Sequence, residues 1–408
     1  MLRKRDVAII GAGKIGRGFL ADCFDDAGFH LVFINGSPRT IDKLNEAKKY
    51  TIFTSSPAGV ERKIVTDFEA YSSQRDFDTV VKRLTEIDIA CVALYPGAYD
   101  NVADQLSAAV KARRAAGIEE PINVLFFVNM AFTGRMMREK ILSRLADDAD
   151  KKYFETHMGI IEALTMRGGF NPTPEQLAED PLCIATTPGK IMPVGDNFIG
   201  EKPDIKGMQF LDRMEGRLVK KIWFGNMRHC SQACVGQYRG ATYTYEAARD
   251  QYVRKHTDYA SIEAAYGIGK EYGFTSEEMW DGMRIDWKAS QDDSAPDDVC
   301  RVAADPLRKL SRNERYVGPA LLALKHGKTP FYLARNAAFL LNFKNDNDES
   351  CVKMHKIIEE KGIEKAIVEF CGLDLNEKDD RTIYDLILGN YRELLESDVP
   401  VEVMKEKF

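Results

Sequence analysis

Apolar residues in the first half of the chain come in short unbroken runs: Val7-Ala8-Ile9-Ile10, Leu31-Val32-Phe33-Ile34, Asp88-Ile89-Ala90-Cys91-Val92-Ala93-Leu94 and Asn123-Val124-Leu125-Phe126-Phe127-Val128. A strand wetted on one face alternates apolar with polar, whereas a strand buried on both faces does not, so these runs predict the interior of a covered sheet. The stretches between them are long enough for helical crossovers, which makes them βαβ units of a doubly wound parallel sheet. Two further runs, at 158–161 and 183–186, are expected to extend it.

The pattern then changes. Prolines and glycines cluster at Pro188, Gly189, Pro193, Gly195, Gly200, Pro203 and Gly207, which punctuates regular structure and suits a junction near residue 205. Beyond it apolar residues recur at helical spacing over 210–222, 243–272, 317–324, 332–343, 352–363 and 383–395. Two domains are predicted, an α/β domain over 1–205 and a mostly α-helical domain over 206–408. A length of 408 residues exceeds what one core usually supports, in agreement with that division.

Composition narrows the class of partner. The 44% apolar and 29% charged shares are those of an ordinary globular protein, and a net charge of −6 provides no global basic field for nucleic acid or an anionic membrane. A small metabolite fits better; oligomeric state is not legible. The basic start Met1-Leu2-Arg3-Lys4-Arg5 precedes only four apolar residues before glycines intervene, and no run approaches the ~18 to 20 needed to span a bilayer, so a cytoplasmic protein is expected. The eight cysteines include no CxxC pair and read as reduced core thiols.

Between the first two runs stands Gly11-Ala12-Gly13-Lys14-Ile15-Gly16. In a GxGxxG loop between strand and helix, the first glycine permits the tight turn and the second lets the backbone approach a pyrophosphate. The third permits close helix packing, and the helix N-terminus, here from Lys14 and Ile15, faces the phosphates. A Rossmann-type dinucleotide site follows. About 20 residues on, where an acidic residue selects NAD through the ribose, stands Asn35, followed by Gly36, Ser37, Pro38 and Arg39. A neutral Asn35 with Arg39 nearby accepts a 2′-phosphate as readily as a hydroxyl, so NAD and NADP both remain open.

Hydride chemistry also needs a base for the hydroxyl proton and donors for the developing carbonyl oxygen. The segment Lys221-Ile222-Trp223-Phe224-Gly225-Asn226-Met227-Arg228-His229 offers both. On an α-helix Asn226 lies ~140° and His229 ~80° round from Lys221, so the three share one broad face. Lys221 becomes a base if an apolar wall such as Trp223 desolvates it. The other histidines stand apart from one another and from carboxylate pairs at ligand spacing, so no metal site is expected.

Extended to Gly11-Ala12-Gly13-Lys14-Ile15-Gly16-Arg17-Gly18-Phe19, the glycine loop resembles the GAGxIGRGF signature of the metal-independent long-chain polyol dehydrogenases, the mannitol dehydrogenase family. Lys221, Asn226 and His229 are similar to its KxxxxNxxH motif residue for residue, and Asp305-Pro306-Leu307-Arg308-Lys309-Leu310 with Glu314-Arg315 resembles a segment of the branch acting on polyol phosphates. The resemblance runs almost end to end. It implies Lys221 as general base, Asn226 and Asn129 as donors on the oxyanion side, His229 as a contact to a substrate hydroxyl, and a polyol or sugar-phosphate substrate. Arg308 and Lys309, with Arg312 and Arg315 nearby, are the cations available to a phosphate.

Three departures surround the implied substrate. Val128-Asn129-Met130 replaces Glu-Asn-Met, Met166-Arg167 replaces an Asp-Arg pair, and Ala289-Ser290-Gln291-Asp292-Asp293 stands where the family has Arg-Phe-x-Asn-Pro. Losing carboxylates changes which hydroxyls a site recognises. A hexuronate reductase, an unphosphorylated polyol dehydrogenase and, in another class, a nicotinamide-binding sensor without turnover therefore stay open.

Overall fold

The structure is a computed structural model that describes residues 5–294 and 296–396; the start of the basic N-terminal run lies outside the described residues. The chain divides into two compact units, 1–215 and 216–408. The division falls ten residues beyond the junction expected from the Pro/Gly cluster, because the strand after Gly207 still belongs to the first unit's sheet.

Among the described residues twelve strands build the first unit: β1 (Asp6–Ile10), β2 (His30–Asn35), β3 (Tyr50–Ser56), β4 (Gly59–Val65), β5 (Phe68–Ser72), β6 (Ile89–Val92), β7 (Ile122–Phe127), β8 (Met158–Ala163), β9 (Gly169–Phe170), β10 (Ile184–Thr186), β11 (Met192–Gly195) and β12 (Met208–Leu211). Eight form one sheet in the order β12-β11-β8-β7-β6-β1-β2-β5. From β5 through β8 every pairing is parallel; β11 joins antiparallel to β8. The chain winds outward from β1 through β2 to β5, then returns to β6 and winds the other way. That reversal opens a crevice at the carboxyl ends of β1 and β6, where doubly wound sheets bind ligands.

Each unbroken apolar run feeds two cores. Val7, Ile9, Leu31, Phe33, Cys91 and Leu125 pack on one face of the sheet, while Ala8, Ile10, Val32, Ile34, Val92 and Phe126 pack on the other. This is the Rossmann-type architecture expected from the runs.

The run at 183–186 does not extend that sheet. It forms β10, which pairs parallel with β3 in a separate four-stranded sheet ordered β4-β3-β10-β9. Close packing draws it there: a Cβ on Gly18 would lie 2.6 Å from Ile184 Cγ2, so only glycine lets the helix after the first loop approach β10. Arg167 then ties the small sheet to that helix. Its buried guanidinium donates to Asp22 Oδ2 at 2.6 Å, Thr186 Oγ1 at 2.9 Å and Thr54 Oγ1 at 2.9 Å. Burial alone would raise Asp22, but Arg167, Lys190 and Lys63 overcome it and hold the carboxyl below its usual range. Arg167 is thus a fold tether, so the Met166-Arg167 departure does not bring Arg167 to a substrate.

The helical reading of 210–222 also starts too early. Gly207, at φ +89°, turns the chain into β12, and the helix begins only at Met214. A side chain at Gly207 would collide with Lys190 O, at 2.1 Å.

In the second unit the central helix Gln251–Tyr272 packs against Met227–Tyr238, Val317–Lys325 and Phe331–Leu341. Glu349–Lys361, Ile363–Cys371 and Lys378–Glu396 follow. The helical pattern over 243–272 is broken at Asp250, whose carboxylate accepts from the Tyr252 amide at 2.7 Å and so starts a new helix. Among the described residues no helix is long and apolar enough to cross a membrane.

Candidate active site

The glycine loop follows β1 at the crevice, and its three glycines act differently. Gly11 adopts φ +109°, a conformation closed to most residues, and a Cβ there would lie 2.7 Å from Ala93 O. A Cβ on Gly16 would fall 1.9 Å from Gly11 O, which makes this the tightest contact of the loop. Gly13, by contrast, is exposed, and a Cβ there would meet no atom within 4 Å. The loop therefore presents bare backbone at Gly13, the shape a pyrophosphate requires.

The helix beyond starts at Lys14, passes through a π-wound stretch at Gly16–Leu20 and continues as Ala21–Asp26. Ile15 packs on the core, and Lys14 Nζ donates to Asn171 Oδ1 at 2.7 Å. The rest of the signature is structural. Arg17 donates to Ala12 O at 2.8 Å and Leu182 O at 2.6 Å, and Phe19 meets Phe127 edge-on. At the end of β2, Asn35 Oδ1 accepts from the Ala12 amide at 3.3 Å, so it braces the loop. Ser37 caps the helix Pro38–Ala47. Arg39 lies exposed in that helix's first turn, with no ion pair among the described residues.

Asn129 follows the buried Val128 at the end of β7 and is exposed. The loop that carries it re-enters helix Thr133–Leu142 through Phe132, held at φ +63°.

In the second unit Lys221 sits in a π-wound segment, Lys220–Asn226, that leads into helix Met227–Tyr238. The α-helical geometry expected over 221–229 is thereby corrected. A π turn closes i to i+5, so Lys221 and Asn226 fall one turn apart along the same side, where an α-helix would have splayed them. Lys221, Asn226 and His229 line one cavity of about 560 Å³, walled also by Arg228, Met283, Ile285, Asp286, Ala289 and Ser290. Burial pushes the Lys221 amine down to about 8. The apolar wall is Met283 and Ile285 rather than Trp223, whose ring packs over Gly318 and whose indole donates to Asn313 O at 3.1 Å. His229 is open to solvent on one side, yet the protein crowded around it, then Arg228 and Arg315, hold its imidazole below the usual value.

A second cavity of about 750 Å³ shares Asn226, His229, Ala289 and Ser290 with the first, and it is lined further by Arg301, Arg308, Lys309 and Arg315 and by the carboxylates of Asp292, Asp297 and Asp305. The cations divide by their partners. Arg301 pairs with Asp297, and Arg308 with both Asp305 and Glu314. Lys309 is buried, donates to Val302 O at 2.8 Å and is held below its usual pKa by burial. Arg315 meets Glu314 only at 3.7 Å, and its buried Nε has no hydrogen-bond partner. Arg312 turns elsewhere, to Asp380 and Gly372 O.

Lys221, Asn226, His229, Arg308 and Lys309 are therefore brought together within the second unit. Asn129, the glycine loop, Asn35 and Arg39 belong to the first. Spacing did not single out Arg228, Gln232 or Asp286, because isolated polar residues on a helix or loop carry no periodic signal. The 289–293 departure was the one sequence sign that this loop walls the site.

Comparison with known proteins follows the same lines. Residues 6–207 match the family described as the mannitol dehydrogenase Rossmann domain. The chain is 27% identical over 366 residues to mannitol-1-phosphate 5-dehydrogenase of Geobacillus stearothermophilus, covering 89% of this chain and 94% of that protein. It is 29% identical over 368 residues to the enzyme of the same name from Bacillus velezensis, covering 90% and 95%. Mannitol 2-dehydrogenase of Pseudomonas fluorescens, solved as a ternary complex with NAD and D-mannitol, shares the fold with a TM-score of 0.73 at 16% identity, over 98% of this chain and 93% of that one. Residues 6–207 thus carry the mannitol dehydrogenase Rossmann domain, and the chain is an oxidoreductase similar over about nine-tenths of its length to the two mannitol-1-phosphate 5-dehydrogenases.

Proposed function

We propose that the enzyme interconverts a polyol phosphate and its ketose phosphate, mannitol 1-phosphate and fructose 6-phosphate, with Lys221 as general base. The observation that carries this reading is the continuous lining from Lys221, Asn226 and His229 to Lys309 and Arg315. The first group handles an alcohol, and the second leaves cationic donors only partly neutralised, as an anionic group on the substrate requires. The names of the Geobacillus and Bacillus relatives support the same pair.

The bare backbone at Gly13 fits a dinucleotide, which supplies a hydride acceptor when bound. In the oxidising direction neutral Lys221 takes the hydroxyl proton on Nζ as the carbinol C–H bond gives up hydride and the C–O bond becomes a carbonyl. Asn226 donates to the oxygen on which charge develops, and His229 orients a neighbouring hydroxyl; Asn129, in the first unit, keeps the donor role that the family resemblance implies for it. In the reducing direction protonated Lys221 returns the proton.

A panel of fructose 6-phosphate, fructose, tagaturonate and fructuronate, each with NADH and NADPH, tests the assignment. Fructose 6-phosphate is expected to exceed fructose in kcat/KM by at least ~100-fold, the worth of charged hydrogen bonds of about 1.5–3 kcal/mol each. Preference for a hexuronate would keep the cationic cavity and reassign its anion to a carboxylate; preference for fructose would remove the phosphate reading.

Two substitutions follow. Arg315→Ala is expected to raise KM for the phosphorylated substrate about 10- to 100-fold with little change in kcat, since it removes binding common to ground and transition states. Arg39→Ala is expected to weaken NADPH about tenfold and leave NADH unchanged, measured by fluorescence titration, because only the 2′-phosphate reaches for a guanidinium there.

A further inference from the structure

Glu162, on β8, is a buried carboxyl that the chemistry above does not use. Its Oε1 accepts from the Gly134 amide at 3.1 Å, in the first turn of helix Thr133–Leu142. The fit is close, since a Cβ on Gly134 would lie 3.1 Å from Glu162 Cγ. That helix has no side-chain cap, and Phe132, at its N-cap, sits in the left-handed region at φ +63°. A loop entering a helix through such a residue needs something to hold it, and the buried carboxylate bonded to the next-but-one amide is the group in place.

We propose that Glu162 is a positioning residue: its ionised carboxylate, bonded to the Gly134 amide, holds the 128–134 loop and so sets the place of Asn129. The catalytic consequence rests on the donor role assigned to Asn129 above; the loop anchoring does not. The groups facing Glu162 are Gly134 N–H and the Thr133 hydroxyl from its own contact helix, Tyr99 from helix Tyr99–Ala115, and Arg135 and Glu215, which pair with each other. Burial pushes Glu162 up to about 7, with Glu215 adding to the rise and the Gly134 amide, Arg135 and Thr133 opposing it. The anchor is therefore charged above neutrality. Below neutrality a neutral carboxyl makes a weaker bond to the amide and to the positive end of the helix.

Hydrogen exchange of the peptide covering 128–136, corrected for intrinsic rates, reads the anchor without catalysis. The wild type is expected to be about threefold or more better protected at pH 8 than at pH 6, and Glu162→Gln is expected to show no such difference. Equal protection at both pH values in the wild type, or an undiminished pH dependence in Glu162→Gln, would overturn the anchoring. If the exchange results hold, kcat/KM of Glu162→Gln should lose one ionisation near pH 7 and retain that of Lys221. An unchanged profile there would overturn the link to Asn129 and leave the anchor standing.

Discussion

Lys221→Ala is expected to lower kcat/KM by about 10²- to 10⁴-fold, the usual worth of a positioned general base, with dinucleotide affinity unchanged. The fall should appear in kcat, because proton transfer occurs only in the transition state. Its pH signature separates this role from a binding one. Burial pushes Lys221 down to about 8, and the base is the neutral amine. Polyol oxidation should therefore rise as pH increases toward 8 and level off above it, while ketose reduction, which uses the ammonium as acid, should fall above 8. The stability sign runs the other way. A lysine whose folded pKa lies below its unfolded value costs stability wherever it is charged in both states, here below pH 8. Lys221→Met should be no less stable than the wild type at pH 7, which excludes unfolding as the cause of lost activity. If Lys221→Ala turns over normally, Lys221 is not the base; if a wild type that binds NADH turns over no panel substrate, the enzyme reading fails and a nicotinamide-binding sensor takes its place.

Gly13→Ala and Gly16→Ala, one methyl each in the same loop, are expected to fail in different ways. Gly16→Ala places Cβ 1.9 Å from Gly11 O, backbone against backbone with no flexible side chain to yield. It should cost about 3 kcal/mol or more of stability, read as a clear drop in the unfolding midpoint. Gly13→Ala meets no atom within 4 Å, so its unfolding midpoint should hold. Its methyl instead stands where the backbone approaches a pyrophosphate, and NADH affinity should fall by roughly 100-fold, about 2.7 kcal/mol. Wild-type affinity in Gly13→Ala would move the pyrophosphate away from this loop.

Some of this was legible because it depends on local chemistry or period. The runs at β1, β2, β6 and β7 were readable because burial on both faces removes alternation, and each run supplies both cores. The glycine loop was readable because its three positions answer to backbone sterics within a few residues. The helices at 317–324, 332–343, 352–363 and 383–395 were readable from their stripes alone. The hairpin β3–β4 drew no prediction, since β4 has one largely exposed face and no apolar run.

What depended on contacts distant in sequence was not legible. The run at 183–186 looked like another interior strand, and only the approach permitted by Gly18 sends it to the second sheet. Arg167 looked like part of a substrate pair, whereas 145 residues upstream Asp22 claims it within the core. The sequence by itself determined the parallel sheet, the helical second half and the strand-to-helix glycine loop, and it singled out Lys221, Asn226 and His229 as candidates. Tertiary structure alone decided that a π turn aligns Lys221 with Asn226, that Met283 and Ile285 wall them, and that Arg315 rather than Arg312 faces the cavity. The reason is physical: strand burial and glycine sterics act over a few neighbouring residues, whereas desolvation and charge pairing depend on which distant atoms the fold brings within a few ångströms.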